Sequence, residues 1–231
     1  MSVDLLKQTL ADLGVEASPE LLEKFHVYFS LLASWNEKMN LTSIVEEEEV
    51  YEKHFVDSLL AAKAVSFSGK TLLDIGSGGG FPGLVIALVY PGAKVTVLDS
   101  TAKKFLFLRE VCEQLGLKNV SFVNARIEDR KVARESFDIV ISRGFAALPV
   151  FLECAAPFTK IGGQVVAMKG ASYKEEMEMV GSPAKFGLGL ANVVSIDLPN
   201  AGKRVNLVYG KTKPTPKKYP RRWDEMKREC R

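Results

Sequence analysis

The chain is 231 residues long, 47% hydrophobic, and carries a formal net charge of +3. This length suits one large domain, or one domain with an appendage, and the apolar content is enough for a core. The small net charge does not by itself announce a nucleic-acid partner. The three widely spaced cysteines, Cys112, Cys154 and Cys230, exclude a disulfide framework or a paired-cysteine zinc site.

No stretch approaches the roughly 20 apolar residues of a membrane span. The start, Met1-Ser2-Val3-Asp4, lacks the basic and apolar regions of a signal peptide. The expectation is a monomer of the reducing cytoplasm, without membrane or metal partners. Residues 1–65 read as a helical N-terminal extension packed on the core of the chain. Ser2 is placed to cap a first helix that Gly14 ends. Ser18-Pro19-Glu20 starts a second, with Leu21, Leu22, Phe25, Phe29, Leu32 and Trp35 along one stripe. Glu46 to Glu49 reads as a solvated acidic first turn of the next helix. Further along it, His54 and Asp57 share a face. A catalytic pair and a polar contact to a neighbouring helix are both open for them.

From residue 71 the pattern changes to alternating strand and helix. A strand over 71–75 runs directly into Gly76, Gly78, Gly79 and Gly80, and an apolar helix comes next over 82–90. Such a turn lets backbone approach a ligand closely, and the helix start favours a negative group. The next strand, 94–98, ends at Asp99, about 20 residues beyond the glycines, where an acid meets ribose hydroxyls. A P-loop is excluded, because Gly69-Lys70-Thr71 precedes the strand and Ala64 stands in place of the first glycine. A dinucleotide fingerprint, Gly78-x-Gly80-x-x-Gly83, starts late and has Pro82 before its third glycine. Asp74-x-Gly76-x-Gly78-x-Gly80 places the first glycine directly after the strand, as in proteins that bind S-adenosylmethionine (SAM). SAM is therefore preferred, with NAD as the alternative.

Further strands are predicted at 119–123, 137–142 and 163–168, and helices at 101–115, 147–158 and 173–180. This alternation gives a parallel sheet with helices on both faces. Two β-rich runs, 192–197 and 204–209, flank Pro199, Asn200 and Gly202 and read as an antiparallel edge hairpin. That ending suits SAM methyltransferases and not dinucleotide folds. The predicted class is α/β: a Rossmann-like, mostly parallel twisted sheet over 66–210, with the helical extension before it and a basic tail, 211–231, after it.

Ligands of open α/β sheets lie at the carboxyl ends of the strands. That rule brings Gly76 to Phe81, then Asp99, Ser100 and Thr101, then Asn124 to Glu128, then Arg143, then Lys169 to one rim. Asn124 and Glu128 suit a purine edge with Ile127 as an apolar wall, and Arg143 and Lys169 could hold a phosphate or carboxylate. Lys103, Lys104 and Arg109 are expected on the surface, solvated or extending a basic path for RNA. From Lys211 to Arg231 there are nine Lys or Arg and three Asp or Glu, so the tail carries +6 and the preceding residues −3. Pro214, Pro216 and Pro220 disfavour helix there until Trp223. The tail is expected to be an extended arm that grips RNA and contributes little to the cofactor site.

Taken in order, Trp35-Asn36-x-x-x-Asn40-Leu41-Thr42, His54-x-x-Asp57-Ser58, the Asp74 glycine run with Phe81-Pro82-Gly83, Leu98-Asp99-Ser100 with Lys103-Lys104, Ser142-Arg143 and Met168-Lys169-Gly170 resemble the bacterial RsmG (GidB) family. Tyr219-Pro220-Arg221-Arg222 resembles that family's end. Gly144, where the family usually has another small residue, is a mild departure. The resemblance implies SAM-dependent methylation of guanine N7 in 16S rRNA, with 16S rRNA or the small ribosomal subunit as partner. It implies a SAM site at Gly76, Gly78, Phe81, Asp99, Ser100, Thr101, Ile127, Glu128 and Arg143. Arg143 and Lys169 are the candidates for substrate placement, and no residue is assigned proton transfer. A non-catalytic RNA-binding module or an NAD-dependent oxidoreductase on the same fold are the alternatives.

Overall fold

The computed structural model describes residues 2–129 and 131–228. The cap expected from the Ser2 side chain and the third cysteine, Cys230, lie outside the described residues. Helices α1 (Ser2–Asp12) and α2 (Pro19–Met39) open the chain. Ser18 Oγ accepts from Leu21 N at 3.2 Å, and Asn40, at φ 48°, closes α2 in the left-handed region. Helix α2 buries Phe25, Tyr28 and Leu32. Leu21, Leu22, Phe29 and Trp35 from the expected stripe are only partly buried against the core.

The next helix departs from regular geometry. Between α3 (Glu47–Val50) and α4 (Asp57–Leu60), Tyr51–Val56 winds as a π-helix. The wider turn puts Tyr51, Glu52, His54, Phe55 and Val56 all inside. Buried Glu52 accepts from Asn200 N at 2.6 Å, Asn200 Nδ2 at 2.7 Å and Ala201 N at 2.9 Å. The N-terminal extension therefore fastens the turn of a hairpin 148 residues further along the chain.

The sheet has seven strands in the order β3-β2-β1-β4-β5-β7-β6. They are β1 (Thr71–Ile75), β2 (Lys94–Asp99), β3 (Val120–Asn124), β4 (Phe137–Arg143), β5 (Thr159–Lys169), β6 (Leu188–Leu198) and β7 (Gly202–Lys211). The first five are parallel, and β7 and β6 close the edge antiparallel, as the sequence pattern predicts. Strand order reverses between β1 and β4, and ligand crevices open at such a point. Helices α5 (Gly83–Val89) and α6 (Lys104–Leu115) join the N-terminal helices in one core. Helices α7 (Leu148–Ala155) and α8 (Tyr173–Val180) form the other. Helix α6 starts three residues later than predicted, because Asp99 Oδ1 draws Thr101 N into a turn at 2.8 Å.

The segment after Gly210 is not an extended arm. Lys211 is 2% exposed, and its ammonium donates to Ala156 O and Thr215 Oγ1. Burial pulls the Lys211 pKa down to about 8. Arg134 donates to Tyr219 O at 2.7 Å and Thr215 O at 2.9 Å. The Glu153 carboxylate, 2% exposed, takes Arg221 N, Nε and Nη2 at 2.9, 2.9 and 2.6 Å. Helix α9 (Trp223–Arg228) then buries Met226 against Cys154. The prolines do prevent helix before Trp223, but paired charges and apolar anchors pin the chain to the second core. Arg221→Ala leaves the Glu153 carboxylate buried and short of donors. Urea unfolding is expected to register a loss of about 3 kcal/mol; a loss under about 0.5 kcal/mol, usual for a surface site, would mean the segment is only loosely attached.

Candidate active site

Two clefts open at the carboxyl ends of the strands and share Gly144. The first, of about 370 Å³, is bounded by Gly76, by Asp99 to Thr101 after β2, by Ile127 and Glu128 after β3, and by Phe145 and Trp223. Asp99 lies at its floor, 5% exposed. Its Oδ2 accepts from Gly78 N at 3.1 Å and Lys104 Nζ at 3.0 Å, and its Oδ1 from Thr101 N at 2.8 Å. Each carboxylate oxygen accepts about two hydrogen bonds, so Oδ1 keeps capacity for a hydroxyl. Ile127 and Leu98 supply apolar wall, and Glu128 a polar edge.

The glycine turn is shaped mainly by its own chain. Gly76 has φ +73°, and a Cβ there would come within 2.7 Å of Phe145. A Cβ on Gly80 would collide with the Tyr28 hydroxyl, which itself donates to Gly79 O at 2.7 Å. A Cβ on Gly83 would meet Asp74 Oδ2 at 2.7 Å. The third glycine of the dinucleotide pattern is thus explained by packing. Gly78, at φ +58°, has only Gly76 O within 4 Å of where a Cβ would stand, so its left-handed backbone rather than crowding calls for glycine, and its N–H is taken by Asp99. Asp74 is fully buried; its Oδ2 accepts from Ser77 Oγ at 2.5 Å and Gly83 N at 2.9 Å, while Oδ1 has no partner. Burial raises the Asp74 pKa to about 6, against the lowering by those two donors. A spare acceptor on Asp99, the close backbone of Gly76 on the lining and an apolar wall with a polar edge fit an adenosine-bearing ligand with an amino-acid tail.

The second cleft, about 620 Å³, has cationic side chains on its lining: Lys53, Arg143, Lys169 and Arg204. Arg143 ends β4 and reaches into the π-helical turn. Its Nη1 donates to Lys53 O at 2.9 Å and Asp57 Oδ2 at 2.8 Å, and its Nη2 lies 3.1 Å from His54 Nδ1. Asp57 Oδ1 also faces Arg204 Nε at 3.4 Å. Lys169 donates to Ala146 O at 2.8 Å and Glu176 Oε2 at 2.6 Å. His54 Nδ1 lies between the Arg143 guanidinium, at 3.1 Å, and Lys53 O, at 3.2 Å, and its Nε2 is 2.9 Å from Thr42 Oγ1, so both ring nitrogens are engaged. Burial and then the Arg143 charge push the His54 pKa down to about 3.

The candidates drawn from sequence divide. Gly76, Asp99, Ser100, Thr101, Ile127 and Glu128 line the first cleft together. Gly78 stands behind it, bonded to Asp99. Phe81 is buried, stacked on His54 at 4.5 Å and on Tyr28 at 5.4 Å. Arg143 and Lys169 line the second cleft. Asn124 is turned away from the first and braces Asp99 O at 3.0 Å. Lys104, expected on the surface, pairs with Asp99 in the cleft. Sequence reasoning missed Trp223 and Phe145, which apolar wall chemistry alone did not flag. His54, which looks remote from any strand end in the sequence, is folded onto the end of β4. Among the described residues, no group of three His, Cys, Asp or Glu could hold a metal ion, and no helix is long and apolar enough to cross a membrane.

The strand order, the edge hairpin and a cleft between the glycine turn and Asp99 define the fold class of SAM-dependent methyltransferases. A SAM-dependent methyltransferase from Aquifex aeolicus superposes with a TM-score of 0.55 at 17% identity, covering 77% of this chain and 97% of that one. TrmN from Thermus thermophilus gives 0.54 at 19%, covering 70% and 53%. Within this class, residues 21–195 match the GidB family, rRNA small subunit methyltransferase G. The ribosomal RNA small subunit methyltransferase G of Bacillus subtilis is 44% identical over 229 residues, covering 96% of this chain and 95% of that protein. The Staphylococcus epidermidis protein of that name is 41% identical over 227 residues, with the same coverage. The chain belongs to the GidB family.

The His54 environment makes a pH prediction. Its folded pKa lies below its unfolded value of about 6.5, so its stabilising contribution is complete above that pH. As pH falls below 6.5, the unfolded chain takes up a proton that the folded ring refuses, down to about pH 3. Asp74, raised to about 6, acts in the opposite sense over part of that range, so the His54 effect must be read by difference. Between pH 6 and pH 4 the wild type should lose about 1.4 kcal/mol per pH unit relative to His54→Gln in denaturant titrations. Parallel curves for the two proteins would mean that the ring titrates normally.

Proposed function

We propose that this protein transfers the methyl group of SAM to N7 of a guanosine in 16S ribosomal RNA. Family membership over nearly the whole chain carries the reading, and two clefts meeting at Gly144 give it a geometry. When bound, SAM supplies a methyl group on a sulfonium centre. In this reading Asp99 Oδ1 accepts from the ribose, Ile127 and Leu98 flank the adenine, and Glu128 meets its polar edge. The Gly76 backbone, on the lining of the first cleft, approaches the amino-acid end. The acceptor base enters the second cleft, where the cations on the lining also suit an RNA phosphate.

The reaction class fits this inventory. Guanine N7 carries a lone pair and no proton, so displacement at the methyl group needs no general base. Holding nucleophile and methyl carbon in line at about 3–3.5 Å supplies most of the acceleration. His54 is the one lining residue of either cleft whose ordinary pKa lies near neutrality, and both its ring nitrogens are engaged by Arg143 and Thr42. Arg143 acts as a positioning residue: it joins the end of β4 to the Lys53–Asp57 turn and so fixes the mouth between the clefts. Lys169 does the same for the Ala146 loop through its bonds to Ala146 O and Glu176. A monomer of the cytoplasm remains part of the proposal.

Labelled SAM incubated with small-subunit RNA should leave label in RNA. Borohydride followed by aniline should then cleave that RNA at one position, because N7-methylguanosine carries a positive ring. Label in RNA without such cleavage would move the reaction to another atom, and label in protein would remove the RNA reading. Asp99→Ala should weaken SAM binding about 10- to 150-fold, the loss of a charged hydrogen bond worth about 1.5–3 kcal/mol. Unchanged affinity in calorimetry would remove Asp99 from ribose recognition.

A further inference from the structure

The segment after β7 carries a half-buried tryptophan into the first cleft. Trp223 lines it together with Ile127, Glu128 and Phe145. Its ring lies 5.4 Å from that of Phe145, which in turn closes over Gly76. Trp223 also borders a neighbouring hollow of about 480 Å³, shared with Arg126, Glu128 and Arg222, so the indole stands between the two spaces. Its position is fixed from both sides. Upstream, Arg221 is bound to the buried Glu153, and Tyr219 packs edge-on to Phe186 at 4.9 Å. Downstream, Met226 is buried beside Cys154. An anchored chain end thus holds an aromatic surface against the part of the cleft where Ile127 and Glu128 stand.

Lys227 Nζ lies over the indole ring, 5.2 Å from its centroid, which takes one ring face and leaves the other; a half-buried indole bordering a cleft has an apolar body to cover and a π surface to offer. The ligand group with a matching flat face is a purine, and base–aromatic stacking is a strong contact of this kind. We infer that the C-terminal segment is a wall of the cofactor cleft and that Trp223 packs on the adenosine half of the methyl donor. This rests on the cofactor reading above and extends it to a residue outside the parallel sheet and its strand ends. It also gives the Glu153–Arg221 pair a function: the pair positions the segment that carries the indole.

The full chain contains two tryptophans, Trp35 and Trp223, and Trp35 lies elsewhere, bonded to Glu110 at 2.8 Å. Fluorine NMR of protein labelled with 5-fluorotryptophan therefore gives one reporter in the cleft and one control. Titration with S-adenosylhomocysteine should move the resonance that is missing from Trp223→Phe and leave the other in place. Adenosine alone should reproduce the shift, and methionine should not. In calorimetry Trp223→Ala should bind S-adenosylhomocysteine about 5- to 150-fold more weakly, with Trp223→Phe closer to wild type. A Trp223 resonance that stays unmoved at saturation, or an Ala variant of unchanged affinity, would overturn the inference. Wild-type protein that binds no S-adenosylhomocysteine would instead overturn the cofactor reading on which it rests.

Discussion

A buried carboxylate, Asp74, sets the turn on which both clefts depend. Taking a charged carboxylate out of water is costly unless donors replace the lost solvent. Here the donors come from the turn itself: Ser77 Oγ and Gly83 N converge on Oδ2 and wrap residues 75–83 around it. The glycines are then required by crowding. Gly83 leaves room for the carboxylate, Gly80 for the Tyr28 hydroxyl, and Gly76 for Phe145. Only Gly78 is left open, and its N–H is held by Asp99. The two acids, 25 positions apart, therefore brace one loop from below and from the side.

The N-terminal helices are part of this arrangement rather than a separate layer. Tyr28 bonds the glycine turn, Glu52 bonds the β6–β7 turn, and the Lys53–Asp57 stretch binds Arg143. The π-helical turn makes the last two possible together. The wider turn buries Tyr51, Glu52, His54, Phe55 and Val56 together, so Glu52 reaches the β6–β7 turn from the same turn whose Lys53 and His54 carbonyls meet Arg143. Phe81, stacked between His54 and Tyr28 and lying 5.3 Å below the Arg143 guanidinium, transmits this packing to the turn. The C-terminal segment closes the assembly from the other core. The clefts are thus walled by three regions of the chain, each fixed by at least one buried polar group.

Much of this was legible in the sequence where local chemistry and period agree. The strand–glycine–helix order, Asp99 at the second strand end and the antiparallel edge hairpin all came from spacing and periodicity. What was not legible depends on distant partners. Arg143 and Lys169 were placed on the active rim by the strand-end rule, but nothing local announces that His54, Asp57 and Glu176 engage them. The π-helical turn has no signature in a run such as Tyr51–Val56. The net charge and prolines of the last 21 residues describe a free arm, whereas Arg221, Lys211 and Met226 find their partners in the body only after folding. Asn124 and Lys104 exchanged expected roles for the same reason: which of them reaches the cleft is decided by the turn after Asp99, not by residue type.

The central claim is that the cleft at Asp99 holds the methyl donor and the cleft at Arg143 the acceptor, with Gly144 at their junction. The most direct measurement is the position of the ligand in a crystal of the full chain with S-adenosylhomocysteine. The account predicts its ribose against Asp99, its adenine between Ile127 and the Trp223 side, and its sulfur at Gly144 directed toward the second cleft. A sulfur turned away from that cleft, or a ligand bound on another face of the sheet, would contradict it.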